Sequence, residues 1–392
     1  MSETGRLDSW KEIAGYLRRS LRTAQRWERD AALPVRRVSS DRGAVYAFRS
    51  DIDAWWKRRG FAEPRPATGS TDPTTAPADA GAASPGRGRD GTRVQPFLPH
   101  DVRIDPHSAA GHASLAVYFF TLTAMGLLNP EDGMASARAA ATRALRLEPD
   151  NAEALALQAV VLALNDHDWP EAGRRFELAL LRHPVPPTVR FHYAAWFLSP
   201  LQRCEESLAQ LRSALAHEPL YLLGRVGIGC DLCSLGRVDE GLAELEHVLR
   251  IDPQFGPALG HLGREYALCG RTQEADALSA RTYASVPQHP NAVGFRAGML
   301  ARAGDRHGAE QVLQGLAGEY PWSVPRARAE AHLVCREFDA ALAWIHRAIG
   351  QRDPGIWILF SGTAGARLRE RPAWPALRAA LGLPPVGQQR NA

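Results

Sequence analysis

Between residues 112 and 355, apolar side chains recur at helical spacing, and a proline interrupts them at an almost constant interval. The prolines are Pro149, Pro184, Pro219, Pro253, Pro287, Pro321 and Pro354, with successive steps of 35, 35, 34, 34, 34 and 33 residues. Proline lacks the backbone N–H and clashes with the preceding turn, so each one marks the end of a helical unit. Within a unit the pattern predicts two helices. In residues 257–287, Leu259, Leu262, Gly263 and Tyr266 share one face, Gly270 breaks the run, and Ala275 and Leu278 share a face of a second helix. Gly263 and Ala275 are small where the two helices must approach closely.

Two stretches depart from the period. Residues 128–133 (LNPEDG) read as an insertion in the first unit, and the tail 367–384 (RLRERPAWPALRAALGLP) reads as a polar-faced capping helix. A third stretch raises a membrane question, because residues 113–128 are largely apolar and no Asp, Glu, Lys or Arg occurs from Pro106 to Asn129. A span needs about 20 apolar residues. As the first helix of unit one, Leu115, Tyr118, Phe119, Leu122 and Met125 form an i, i+3, i+4, i+7 stripe, and residues 133–147 keep an antiparallel partner. A membrane is therefore not expected as a partner, although a membrane-tethered arrangement remains the alternative.

Upstream the pattern changes. Residues 62–96 contain almost no large apolar side chain, so they cannot offset the entropy of ordering and read as the body of a disordered linker, 62–100. In residues 8–59, Asp8 or Ser9 can cap a helix on which Trp10, Ile13, Ala14 and Leu17 share a face. Ser20 can cap a second helix, with Leu21, Ala24 and Trp27 on one side and Arg22, Arg26 and Arg29 on the other. VRRV and AVYAFR are β-like runs around the turn SSDRG, and Ser50 can cap a third helix whose Ile52, Trp55 and Trp56 close over Trp27 and Phe48.

Charge sharpens this division. The 392 residues hold 47 Lys+Arg and 43 Asp+Glu, a net +4, but residues 1–61 hold 14 against 8, a surplus of +6. Five cysteines, an odd number, and a polar start without an apolar h-region argue for a reducing, cytoplasmic setting. Cys230 and Cys233 have CxxC spacing, but no second pair follows and both fall inside a predicted helix, where they read as small core residues. No phosphate loop, nucleophile elbow or zinc-protease motif is present, and Lys11 and Lys57 are the only lysines. No catalytic residue, metal or cofactor is expected.

The repeat resembles the tetratricopeptide repeat (TPR), which places small residues near positions 8, 20 and 27, Gly near 15 and Pro at 32. Gly229, Gly236 and Gly241 take positions 8, 15 and 20 of one unit, and Ala297, Gly304 and Ala309 those of another. The N-terminal stretch resembles the winged helix-turn-helix of MerR and excisionase-like DNA-binding domains, with Arg18 at the turn usually filled by Gly. The resemblances imply a mostly α protein: a winged helix-turn-helix domain (1–61), a disordered linker (62–100) and a TPR α-solenoid of about seven repeats with a capping helix (101–385). They imply duplex DNA as a partner of Arg22, Thr23, Gln25, Arg26 and Arg29 on the second helix and of Arg36, Arg37 and Arg42 on the wing. They also imply a protein or peptide in an inner groove lined by Leu157, Val161, His192, Trp196, Val226, Cys230 and Arg264, and a homodimer is a further expectation. The function so implied is a sequence-specific transcriptional regulator. An adaptor whose head does not bind DNA is the alternative.

Overall fold

The computed structural model describes residues 6–7, 9–17, 27–28, 33–37, 45–58, 106–181 and 183–384. The chain divides into two compact units, Met1–Ser84 and Pro85–Ala392.

In the first unit, β1 (Arg6–Leu7), α1 (Trp10–Tyr16), β2 (Arg36–Arg37), β3 (Val45–Phe48) and α2 (Arg49–Arg58) surround one small core. Ser9 caps α1, its hydroxyl accepting from the Glu12 amide at 3.2 Å, because the first amides of a helix have no partner within it. The two β-like runs pair antiparallel, Arg36 opposite Tyr46 and Arg37 opposite Val45. The two-residue strand β1 joins the other edge of β3, giving the order β1-β3-β2. Leu7, Ile13, Ala14, Leu17, Val45, Ala47, Ile52 and Trp55 are buried together, and Trp27 packs on Trp55 at 5.7 Å between ring centroids. Helix α2 starts at Arg49, one residue before its expected cap Ser50. The expected second helix from Ser20, the turn at Arg18 and the wing tip lie outside the described residues.

Among the described residues, the second unit is an α-solenoid of seven consecutive helix pairs. They are α3 (Ala109–Ala124) with α4 (Pro130–Leu147), α5 (Ala152–Val161) with α6 (Trp169–Leu180), α7 (Pro187–Tyr193) with α8 (Cys204–His217), and α9 (Leu222–Ser234) with α10 (Val238–Ile251). Then follow α11 (Gly256–Cys269) with α12 (Thr272–Ser285), α13 (Pro290–Arg302) with α14 (Arg306–Ala317), and α15 (Val324–Val334) with α16 (Phe338–Gly350). Each periodic proline stands just past a second helix. The turn inside each pair holds one residue in the left-handed region: Gly126, His167, Gln202, Gly236, Gly270, Gly304 and Arg336. Glycine occupies it at no steric cost, while a side chain there costs about 1–2 kcal/mol. Small residues sit where helices touch: a Cβ on Gly241 would lie 2.6 Å from the Gly229 carbonyl, and one on Gly263 would lie 2.3 Å from the Phe295 ring.

One expectation for this end needs correction and one takes a definite form. The insertion at LNPEDG lengthens the second helix of the first pair, since Asn129 caps α4 and Pro130 opens it. The buried face of α3 is displaced from the predicted stripe. It consists of Gly111, Ala113, Ala116, Phe120, Thr123 and Ala124, while Leu115, Tyr118, Phe119, Leu122 and Met125 are half-buried. Small side chains let α4 approach so closely that a Cβ on Gly133 would overlap the Thr123 hydroxyl. Among the described residues, no helix is long and apolar enough to cross a membrane.

The tail is the larger departure. After α16 the chain forms a 3₁₀ segment (Pro354–Phe360), α17 (Gly362–Arg369) and α18 (Trp374–Ala380). Rather than presenting a polar face at the end of the stack, it turns back into the solenoid. Ile356, Trp357, Leu359, Phe360, Leu368, Trp374, Leu377 and Leu381 join one buried cluster with residues of the first, second and third pairs. The seventh pair meets the first as well. The Gly126 carbonyl accepts from Trp322 Nε1 and Ser323 Oγ, and the Ala124 carbonyl accepts from Arg326. The solenoid thereby closes on itself around its own tail.

Candidate functional site

Two regions carry the expected sites. In the N-terminal unit, Arg22, Thr23, Gln25, Arg26, Arg29 and Arg42 lie outside the described residues. Arg37 sits on β2, and Arg36 beside it is exposed. The Arg36 guanidinium donates to Asp51 at 3.0 Å and stacks over Phe48 at 5.3 Å. An exposed pair of this kind is worth about 0–1 kcal/mol, so a phosphate can compete for Arg36 at little cost. Residues not singled out by sequence organise the frame. Tyr16 donates to Asp53 at 2.8 Å, with Arg49 over its ring at 5.2 Å, and burial followed by the Asp53 carboxylate pushes the phenol up to about 12.

In the solenoid, the predicted groove residues do come from first helices or their π-turn ends. Leu157 and Val161 lie on α5, His192 on α7, Trp196 in the π turn Ala194–Leu198, Val226 and Cys230 on α9, and Arg264 on α11. They do not line an open groove. All except Trp196 are buried, and Trp196 is half-buried. His192 lies against Phe120, whose ring also meets Trp196 edge-on at 5.2 Å, and burial drives its imidazole down to about 4, so it is neutral at pH 7. Burial also raises the thiols of Cys230 and Cys233, which sit in the core rather than in a metal or redox site.

The tail fills the groove through named contacts. Arg264 donates to Glu330 at 3.0 Å, to the Ile358 carbonyl at 3.1 Å and to Ser361 Oγ at 3.2 Å. Gly362 donates its amide to Ser234 Oγ at 2.8 Å, and Thr363 donates its amide to Glu265 at 3.0 Å. Gly362 has φ +68, and a Cβ there would run into the Glu265 carboxylate, so this backbone approach requires glycine. Arg326 pairs with Asp353 at 3.1 Å, with both side chains buried. Trp357 meets Trp169 edge-on at 5.4 Å, and Trp169 Nε1 donates to the Leu381 carbonyl at 3.0 Å. An uninterrupted apolar run, IWILF at 356–360 between Pro-Gly and Ser-Gly, was the sequence signal for a segment buried on every side.

Outside this seat there is a polar pocket lined by Leu268, Arg336, Phe338, Thr363, Arg367, Glu370 and Arg371. Its arginines are committed: Arg336 to the Leu268 carbonyl, Arg367 to Glu370 and Arg371 to Asp339. Among the described residues, no cluster of three or more His, Cys, Asp or Glu side chains could hold a metal ion.

No protein-family model matches the chain. It is similar to the transcriptional regulator HilA of Salmonella paratyphi A, with 25% identity over 123 residues, 31% of this chain and 22% of that protein. The same figures hold for HilA of Salmonella typhimurium and Salmonella typhi. The chain thus spans about a fifth of the length of the curated relatives it matches. A match of 123 residues is about twice the length of residues 1–61, so at least half of it falls outside the head. Among solved structures, the type IV pilus biogenesis factor PilW is similar at 22% identity and a TM-score of 0.42, over 54% of this chain and 94% of that one. The yeast Tom70 structure is similar at 14% identity and a TM-score of 0.45, over 72% of this chain and 61% of that one. Both scores are below 0.5, and the solenoid fold stands on the helix pairs and their 34-residue step.

Proposed function

We propose that the chain is a non-enzymatic, sequence-specific DNA-binding regulator of transcription, with a winged helix-turn-helix head tethered to a TPR protein-interaction domain in the cytoplasm. The observation that carries the reading is a +6 charge surplus confined to 61 residues that also hold a capped helix, an antiparallel strand pair bearing Arg36 and Arg37, and a closing helix. The similarity to HilA, a protein named as a transcriptional regulator, supports it. In this reading, Arg22 or Arg26 pairs with a guanine edge, Gln25 with adenine and Thr23 with phosphate, while Arg29, Arg36, Arg37 and Arg42 add backbone contacts. Two heads on a homodimer would address paired half-sites. The adaptor reading is favoured by one observation, that Arg36 is already engaged by Asp51 and Phe48.

The test is binding of the full chain to a random duplex library, read by selection and fluorescence anisotropy. Six or more phosphate contacts imply a loss of about 10³ in affinity between 50 and 200 mM salt. Arg26→Ala should cost about 1–3 kcal/mol at the selected site if it reads a base. No enrichment and no binding at the lower salt would refute the DNA-binding reading.

A further inference from the structure

The covalent link from the last helix pair to the tail is Gly350–Arg352, and that link is sharply bent. The Arg352 amide donates back to Ile349 and the Asp353 amide to Ala348, while Arg352 itself sits at φ +54. A side chain in this left-handed region is strained. Beyond the link, the segment keeps contact with α15 and α16 through Arg326–Asp353 and Arg371–Asp339 and adds distant partners: Trp169 in the second pair, Ser234 in the fourth and Glu265 in the fifth.

The size of this seat limits what else can occupy it. Trp357, Leu359, Phe360 and Leu368 are each at most 5% exposed, and the Arg326–Asp353 pair is buried with them. A foreign peptide would have to replace all of these contacts at once, or leave Arg326 buried without its carboxylate. The same segment from a second copy replaces each contact one for one. Exchange of an identical element then costs the groove nothing, and a short, strained hinge favours it.

We propose that the chain dimerises by exchanging residues 353–384, each tail filling the groove of the other copy while Gly350–Arg352 straightens as the hinge. This deepens the regulator reading, because an exchanged dimer carries the two heads that paired half-sites require. Its test uses no DNA, so failure here is distinguishable from failure of that reading.

The Cys230 thiol lies beside the Ser361 hydroxyl, which provides a cross-link between groove and tail. Two full-length chains are co-expressed with the exposed Cys269 replaced by Ser. One carries Ser361→Cys with Cys230→Ala and an affinity tag; the other keeps Cys230 and Ser361. After mild oxidation, a disulfide-linked heterodimer on a non-reducing gel is the expected result. Overturning it would be the absence of any cross-chain product while a single chain holding Cys230 and Ser361→Cys closes its internal disulfide as a monomer. The unaltered chain gives a second reading by sedimentation equilibrium, where a monomer at every concentration refutes exchange. Arg352→Gly removes the strain from two hinges per dimer and should weaken dimerisation about thirty-fold, equivalent to about 2 kcal/mol at 1.4 kcal/mol per decade. An unchanged dissociation constant would refute the hinge.

Discussion

Asp231 offers a test of the tail's seat that can be worked through from the structure. It is 3% exposed on α9, accepts a hydrogen bond from Ser199 at 2.7 Å, and lies near the half-buried Arg369 of the tail. Burial raises its carboxyl from 3.8 to about 6, against the lowering effect of Ser207, Ser199, Cys204 and Arg369. A folded-state pKa above the unfolded one means that the folded state binds more protons between the two values. The contribution of Asp231 to stability is therefore fully present below about pH 4, is lost as pH rises through about 6, and then stays level. Two pKa units correspond to about 3 kcal/mol at 1.36 kcal/mol per unit, an upper figure because the site can relax. Asp231→Asn keeps an oxygen to accept from Ser199 and cannot ionise. It should match the parent chain near pH 4 and exceed it by about 1–3 kcal/mol at pH 7.5. Urea unfolding followed by tryptophan fluorescence at both pH values measures the difference. A gap that does not change with pH, or a variant that becomes weaker as pH rises, would refute the account of a carboxylate held against its solvation.

Trp357→Ala should lower the stability of the helical unit by about 3–5 kcal/mol, because the ring is buried between Trp169 and Phe360; calorimetry checks it, and a loss under 1 kcal/mol would mean that the tail is not part of the core. Gly263→Ala should cost about 1–3 kcal/mol, since the new methyl meets Phe295, itself 1% exposed, and a neutral result in urea unfolding would contradict the close helix approach. In the head, Tyr16→Phe leaves Asp53 without its 2.8 Å donor and should destabilise that unit by about 1–3 kcal/mol, visible as faster amide exchange in α1 and α2 while exchange in the helical unit is unchanged.

The repeat was legible because each pair solves the same local problem. The spacing of Gly229, Gly236 and Gly241 already contains the close approach, the left-handed turn and the second contact that the structure displays. The frame of the head was readable for similar reasons, from the cap at Ser9 to the pairing of VRRV with AVYAFR. What periodicity cannot express is a contact between units far apart in the stack. Arg264 reads as a lone cation facing a groove; only the approach of α15 and the return of residues 353–369 reveal Glu330, Ile358 and Ser361 as its partners. The buried face of α3 was misplaced for a related reason. Large side chains suggested a stripe, but helix pairing at short range favours alanine and glycine.

The carbonyls at the end of α3 have a bearing on how the chain is made. An open stack can gain order one pair at a time, since each pair needs only its neighbour. Here the Gly126 carbonyl waits for the indole of Trp322, 196 residues later in the chain. At about 5–20 residues per second, the ribosome supplies that partner roughly 10–40 s after the first helix has emerged. During this interval the first pair lacks both its hydrogen-bond donors and the apolar cover of the tail, so the nascent chain stays dependent on protection from aggregation until the seventh pair and the tail have been made. Final consolidation is then a late event joining both ends, with the slow kinetics that distant contacts impose.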